Sequence, residues 1–296
     1  VQPKFHGVYT ALVTPLSADE EVDYQTLAGF VNYLIEEGGV HGLIPLGSTG
    51  EYYALSARER AEVLKITIQT AAGRVPVLAG ANAGSTREVV QYCQQAEKLG
   101  ASGVLLAPPY YSLPRPDEIR EHFRAVNDAV GVPIMLYNYP GRTGVDMTPE
   151  LIERLAELKQ VQYIKESTGD VTRTSEIVRR LGERITVFCG CDTIALECFV
   201  LGVAGWVSGT ANVLPRPHVE IYQLAVEKQD FSGAKTAFFK LLSFLTLAES
   251  GGKYTQCVKA GCALAGQPVG PPRRPLLPFN AEESAALKKI IESYIR

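Results

Sequence analysis

The sequence predicts an α/β fold, a (β/α)8 TIM barrel with a C-terminal helical extension. Three observations carry that expectation. Eight short apolar runs punctuate the chain up to about residue 228, amphipathic stretches lie between them, and 296 residues suffice for one barrel of roughly 250 residues with an appendage. The runs begin at positions 8, 42, 75, 103, 133, 161, 186 and 205. They are apolar almost throughout, as in Val75-Pro76-Val77-Leu78-Ala79 and Gly103-Val104-Leu105-Leu106-Ala107, whereas a strand with one wet face would alternate. Strands buried on both faces belong to parallel sheets, and each interval is long enough for the crossover helix that parallel neighbours require. The runner-up, a doubly wound open sheet, lacks its Gly-x-Gly-x-x-Gly turn after every run.

The helices announce themselves by their ends. Ser56-Ala57-Arg58-Glu59 supplies an N-cap and an acidic first turn, with apolar Val63, Leu64, Ile66 and Ile68 behind it. Ser85-Thr86-Arg87-Glu88 has the capping-box pattern, and Gly100 closes that helix. In Thr148-Pro149-Glu150 the proline takes the first helical position, where its missing N–H costs little. Beyond Val226 the strand pattern stops. Helical stretches follow from Ser232 to Ser250, Tyr254 to Ala265 and Ala281 to Ile295; the Gly- and Pro-rich segment 266–275 parts the last two. The expected division is residues 1–228 for the barrel and its active site and 229–296 for a helical region.

Composition excludes several function classes. With 29 Lys+Arg against 32 Asp+Glu, a net charge of −3 and no basic run, the chain has no electrostatic footprint for nucleic acid. No stretch approaches the roughly 20 apolar residues of a membrane span. The segment Val1-Gln2-Pro3-Lys4-Phe5-His6 lacks the apolar centre of a secretory signal. The cysteines Cys93, Cys189, Cys191, Cys198, Cys257 and Cys262 form no Cys-x-x-Cys motif and read as inert reduced thiols of a cytoplasmic protein. Scattered histidines at 6, 41, 122 and 218 offer no metal-ligand spacing, so neither a metal nor another cofactor is expected.

In such a barrel the active site lies at the C-terminal ends of the strands. The sixth run ends in Tyr163-Ile164-Lys165-Glu166-Ser167-Thr168-Gly169-Asp170. A lysine closing a buried strand loses hydration, its pKa falls, and free amine becomes available to attack a carbonyl. From that segment alone, a structural lysine paired with Glu166 is an equal alternative. The second run ends in Gly47-Ser48-Thr49-Gly50-Glu51, either a turn whose N–H groups converge on an anion or an ordinary loop. The fifth run delivers the Tyr137 phenol to the mouth, and Arg142 in the loop beyond offers a planar fork for a carboxylate. In isolation these two read more readily as a core tyrosine and a solvated arginine. After the fourth run, Pro108-Pro109-Tyr110-Tyr111 is a rigid aromatic loop or an oligomer contact.

Taken together, four segments resemble the dihydrodipicolinate synthase/N-acetylneuraminate lyase family of imine-forming aldolases. They are Ala11-Leu12-Val13-Thr14-Pro15, Gly47-Ser48-Thr49-Gly50-Glu51, Tyr137-Asn138-Tyr139-Pro140-Gly141-Arg142-Thr143-Gly144 and Ile164-Lys165-Glu166-Ser167-Thr168-Gly169-Asp170. Their order and spacing match over essentially the whole chain. The resemblance implies a homotetramer, a dimer of dimers, that binds pyruvate or another small 2-oxo acid as a Schiff base on Lys165. It implies Tyr137 as the proton shuttle, Ser48 and Thr49 as holders of the 2-oxo acid carboxylate, and Ser48 as the link from Tyr137 into a relay. Tyr111 of a neighbouring subunit would complete that relay. Gly190 and Val207 would line the pyruvate pocket.

The resemblance also assigns Arg142 to the carboxylate of an acidic second substrate, as in a dihydrodipicolinate-type synthase. Against this, Tyr52, Tyr53, Ala57, Arg60 and Gly84 differ from the residues of lysine-inhibited synthases, although Glu88 and Tyr110 remain. Lysine inhibition is therefore not expected. A dehydratase, deaminase or aldolase acting on a related 2-oxo acid stays open: a deoxy sugar acid, 4-hydroxy-2-oxoglutarate or a hydroxyproline breakdown product. A non-catalytic relative is disfavoured, because a binder needs no proton relay.

Overall fold

The computed structural model describes residues 5–295. Val1–Lys4, most of the segment read for a secretory signal, and Arg296 lie outside the described residues. The eight strands are β1 (Gly7–Ala11), β2 (Gly42–Ile44), β3 (Leu78–Gly80), β4 (Gly103–Leu106), β5 (Ile134–Asn138), β6 (Val161–Glu166), β7 (Thr186–Cys189) and β8 (Gly205–Ser208). All neighbours pair in parallel, in the order β2-β1-β8-β7-β6-β5-β4-β3. A parallel bridge between Leu43 and Val77, with Leu43 N–H donating to Pro76 O at 3.1 Å, closes the remaining seam. The result is a (β/α)8 barrel.

Each strand presents one set of side chains to the surrounding helices and the other to the barrel interior. On β5, Ile134 and Leu136 face outward, while Met135 and Tyr137 join the interior cluster. The floor of that interior is aromatic. Phe5 stacks on Tyr163 with ring centroids 4.7 Å apart, and Tyr9 meets Phe188 edge-on at 5.4 Å. Above this plug the register pairs Tyr137 with Lys165 across β5 and β6. Both side chains therefore meet at the mouth, with dry protein beneath them.

Helix ends follow the expected chemistry with two differences. Ser56 and Glu59 form a full capping box, Gly100 ends its helix at φ 93°, and Pro149 opens Pro149–Leu155. At Ser85 the box is only half made. The hydroxyl accepts the Glu88 N–H, but the Glu88 carboxylate turns to the Ser85 hydroxyl at 2.8 Å. Arg142 lies within a one-turn helix, Pro140–Thr143, rather than in open loop.

Three helices close the chain, Phe231–Ser250, Tyr254–Leu264 and Ala281–Ile295. A buried ion pair ties this part to the barrel: Lys259 Nζ lies 2.6 Å from Glu51 Oε1, with both side chains almost wholly buried. The Arg273 N–H donates to the other Glu51 oxygen at 2.7 Å, and Lys259 also donates to Pro271 O at 2.9 Å. Glu51 adopts a left-handed backbone, φ 56°, at the end of the Gly47–Glu51 turn. Its contacts hold a conformation that a non-glycine residue rarely takes. Among the described residues, no helix is long and apolar enough to cross a membrane.

Candidate active site

Lys165 is the residue around which the site is built. It projects inward from β6, is only 7% exposed, and its Nζ lies 4.2 Å from the centroid of the Tyr137 ring. Burial pushes its ammonium down to about 8, against the pull of the Asp192 and Glu249 carboxylates. The structural alternative, a pair with Glu166, does not form. Glu166 is held elsewhere, by Asn138 Nδ2 at 3.0 Å and the Thr168 N–H at 2.8 Å.

One narrow cavity is lined by Ser48, Thr49, Tyr137, Arg142, Lys165, Gly190 and Val207. Seven of the eight residues singled out in the sequence thus converge. Beside it a wider space of about 270 Å³, lined among others by Tyr52, Tyr53 and Asn82, shares Ser48, Tyr137, Tyr139 and Arg142 with the first. The eighth residue, Tyr111, stands apart: it is 93% exposed on the loop after β4. Burial pushes the Tyr137 phenol up to about 12, opposed by the Arg142 cation and a hydrogen bond with Ser48. The phenol therefore stays protonated at neutral pH, yet sits within reach of a hydroxyl that can exchange its proton.

Gly190 follows β7 at closest approach to the lysine. A Cβ there would fall 1.9 Å from Ser167 Oγ and 2.7 Å from Lys165 Cε. Only a glycine leaves room for the lysine to extend past this strand end.

The helical extension supplies residues that the sequence reading missed. Glu249 and Tyr254 line the cavity, as does Thr255. The Tyr254 hydroxyl donates to Asp192 Oδ2 at 2.5 Å and accepts the Gly209 N–H at 3.0 Å. Asp192 further accepts Trp206 Nε1 at 2.8 Å and Thr210 Oγ1 at 2.9 Å. Cys191 differs in exposure from the other five cysteines, which are buried. It is half-buried at the cavity wall, although burial raises its thiol to about 11 and keeps it protonated. Single-sequence signals for Glu249 and Tyr254 are weak, because both sit in stretches that read as ordinary helix.

The fold and this pocket define a (β/α)8 lyase with a desolvated amine at its centre. The chain belongs to the Dihydrodipicolinate synthetase family, whose profile matches residues 4–294. A 4-hydroxy-tetrahydrodipicolinate synthase from Pelobacter propionicus is 39% identical over 98% of this chain and 99% of its own length. Among solved structures, a putative dihydrodipicolinate synthetase from Pseudomonas aeruginosa superposes with a TM-score of 0.93 at 40% identity, covering 98% of this chain and 99% of that one. The chloride-inhibited dihydrodipicolinate synthase from Acinetobacter baumannii, solved in complex with pyruvate, gives 0.92 at 34% identity over 98% of both chains.

Proposed function

We propose that the protein is a pyruvate-dependent lyase of the 4-hydroxy-tetrahydrodipicolinate synthase type, making or breaking a C–C bond with an acidic aldehyde through an imine on Lys165. The observation that carries this reading is Lys165 itself, dehydrated and set against the Tyr137 ring inside the cavity. The neutral amine adds to the C2 carbonyl of pyruvate and water leaves. The protonated imine then draws electrons from C3, a methyl proton departs, and the enamine carbon attacks the aldehyde. Tyr137 shuttles the protons with Ser48, while Ser48 and Thr49 hold the pyruvate carboxylate. Gly190 and Val207 shape the wall around the pyruvate methyl, and Arg142 receives the carboxylate of the second substrate.

Tyr111 completes the relay from a neighbouring copy in a homotetramer. Its 93% exposure, next to Leu113 at 58%, supports a contact between copies. Six free thiols suit a reducing, cytoplasmic setting. A second reading, cleavage or dehydration of a hydroxylated 2-oxo acid, draws on Ser167. Its buried hydroxyl lines the cavity and has no hydrogen-bond partner among the described residues.

Borohydride reduction in the presence of pyruvate tests the chemistry. A stable mass adduct on Lys165 is expected, and none in Lys165→Ala; an adduct that survives that substitution overturns the reading. Arg142→Ala should impair turnover of an acidic aldehyde while sparing pyruvate trapping. Loss of both would make Arg142 structural.

A further inference from the structure

Two spaces meet at the mouth, and they differ in charge. The narrow cavity is lined by Glu249 as well as Lys165 and Arg142, whereas Arg142 is the single charged residue lining the wide space of about 270 Å³. Asn82 belongs to the wall of the wide space alone. It lies two residues past the end of β3 and is only 3% exposed. Its oxygen is already taken: the Ala107 N–H, at the end of β4, donates to Asn82 Oδ1 at 2.7 Å. An amide nitrogen cannot accept that bond, so the contact fixes which end of the carboxamide is which. The Nδ2 group meets no acceptor among the described residues, and Asn82 opens on the cavity. Other polar groups of this wall are spent. The Thr143 hydroxyl turns to the Tyr139 and Val145 carbonyls, at 3.1 and 2.9 Å, and Tyr137 shares a hydrogen bond with Ser48. An amide pinned at its oxygen is a donor already aimed at whatever enters.

Resting on the reading above, we infer that Asn82 helps select an acidic second substrate, its Nδ2 donating to the carboxylate whose charge Arg142 balances. The cation attracts that carboxylate from any direction. The amide adds a direction, because the Ala107 bond ties it to the end of β4. Asn82 takes part in no bond-forming step. The imine forms in the narrow cavity, whose lining does not include Asn82, so this residue acts on the binding of the aldehyde and leaves pyruvate capture alone.

Asn82→Asp tests this with almost no change of shape. A carboxylate oxygen still accepts the Ala107 N–H, so the link between β3 and β4 survives, but the end facing the cavity loses its donor and gains a negative charge. Asn82→Ala removes the amide without adding charge. Pyruvate consumption with aspartate semialdehyde, a four-carbon acidic aldehyde, gives kcat and KM at saturating pyruvate, and borohydride trapping scores pyruvate capture by itself. The KM for the aldehyde should rise about 10-fold in Asn82→Ala and about 100-fold in Asn82→Asp, the range that a hydrogen bond to a charged group supplies, with kcat nearly kept. Trapping on Lys165 should match the wild type in Asn82→Asp. An unchanged KM in either variant overturns the inference. So does slower trapping in Asn82→Asp, which would make Asn82 part of the frame of the whole mouth. A wild-type protein that traps pyruvate but does not turn over the aldehyde overturns the acidic-aldehyde reading, and a wild-type protein without an adduct overturns the imine. Turnover with an unchanged KM in the variants overturns only the role given to Asn82.

Discussion

Replacing Gly190 with alanine asks how closely the reactive lysine is held. The added Cβ would lie 2.7 Å from both Cγ and Cε of Lys165 and 1.9 Å from Ser167 Oγ. Non-bonded carbons rest at about 3.5–4.0 Å, so one of the two strand ends must give by about 1 Å. The serine hydroxyl can rotate aside. The lysine cannot yield at Cγ without carrying Nζ with it, and a displacement of about 1 Å at reacting atoms costs on the order of 100-fold. Gly190→Ala should therefore slow formation of the borohydride-trapped pyruvate adduct by about 100-fold, followed by intact mass at fixed times. Overpacking of this kind costs about 1–3 kcal/mol, so the variant stays folded and melts a few degrees lower. Removing the serine as well, in Ser167→Ala/Gly190→Ala, should recover little. Trapping at the wild-type rate in Gly190→Ala would refute the argument, and so would full recovery in the double variant, which would move the clash to Ser167.

Trapping should also follow the free amine. With Lys165 at about 8, about one-tenth is neutral at pH 7 and about half at pH 8, so the rate should rise about fivefold over that unit and then level off. A tenfold rise per unit continuing to pH 10 would mark an ordinary lysine. Lys259→Met strands the buried Glu51 carboxylate and should cost about 3–5 kcal/mol in denaturant unfolding, with part regained in Glu51→Gln/Lys259→Met. Lysine at sub-millimolar concentration should leave turnover unchanged. The buried Arg60 guanidinium lies 3.8 Å from the Tyr92 ring centroid and 5.5 Å from that of Tyr52, and would repel a second ammonium; clear inhibition contradicts this.

The strands were readable because their burial on both faces is itself a pattern. With Ile134 and Leu136 under helices and Met135 and Tyr137 inside the barrel, β5 has no wet side to interrupt its apolar run. Their limits were less legible. The third run begins at Val75, yet the strand proper begins at Leu78, with a single bridge from Val77 to Leu43 before it, and Pro76 has no N–H to give. A polar residue closing an apolar run is conspicuous, which is how Lys165 and Tyr137 stood out. Glu249 gave no such signal. It ends an amphipathic helix as many surface glutamates do, and only the docking of that helix over the mouth turns it inward. Asp192 was hidden in the same way, since its three hydrogen-bond donors come from β8, the turn after it and the helical extension.

The clasp between Glu51 and the extension has a consequence for the order in which the molecule is made. Lys259 and Arg273, which grip the turn carrying Ser48 and Thr49, are synthesised after all eight strands. A nascent chain emerging from the ribosome thus has every strand of its barrel before it has a finished pocket. Until those late residues arrive, Glu51 lacks the cation that makes its burial tolerable. In the growing chain the turn that bears Ser48 and Thr49 is thus left without its clasp until the helical extension has been made.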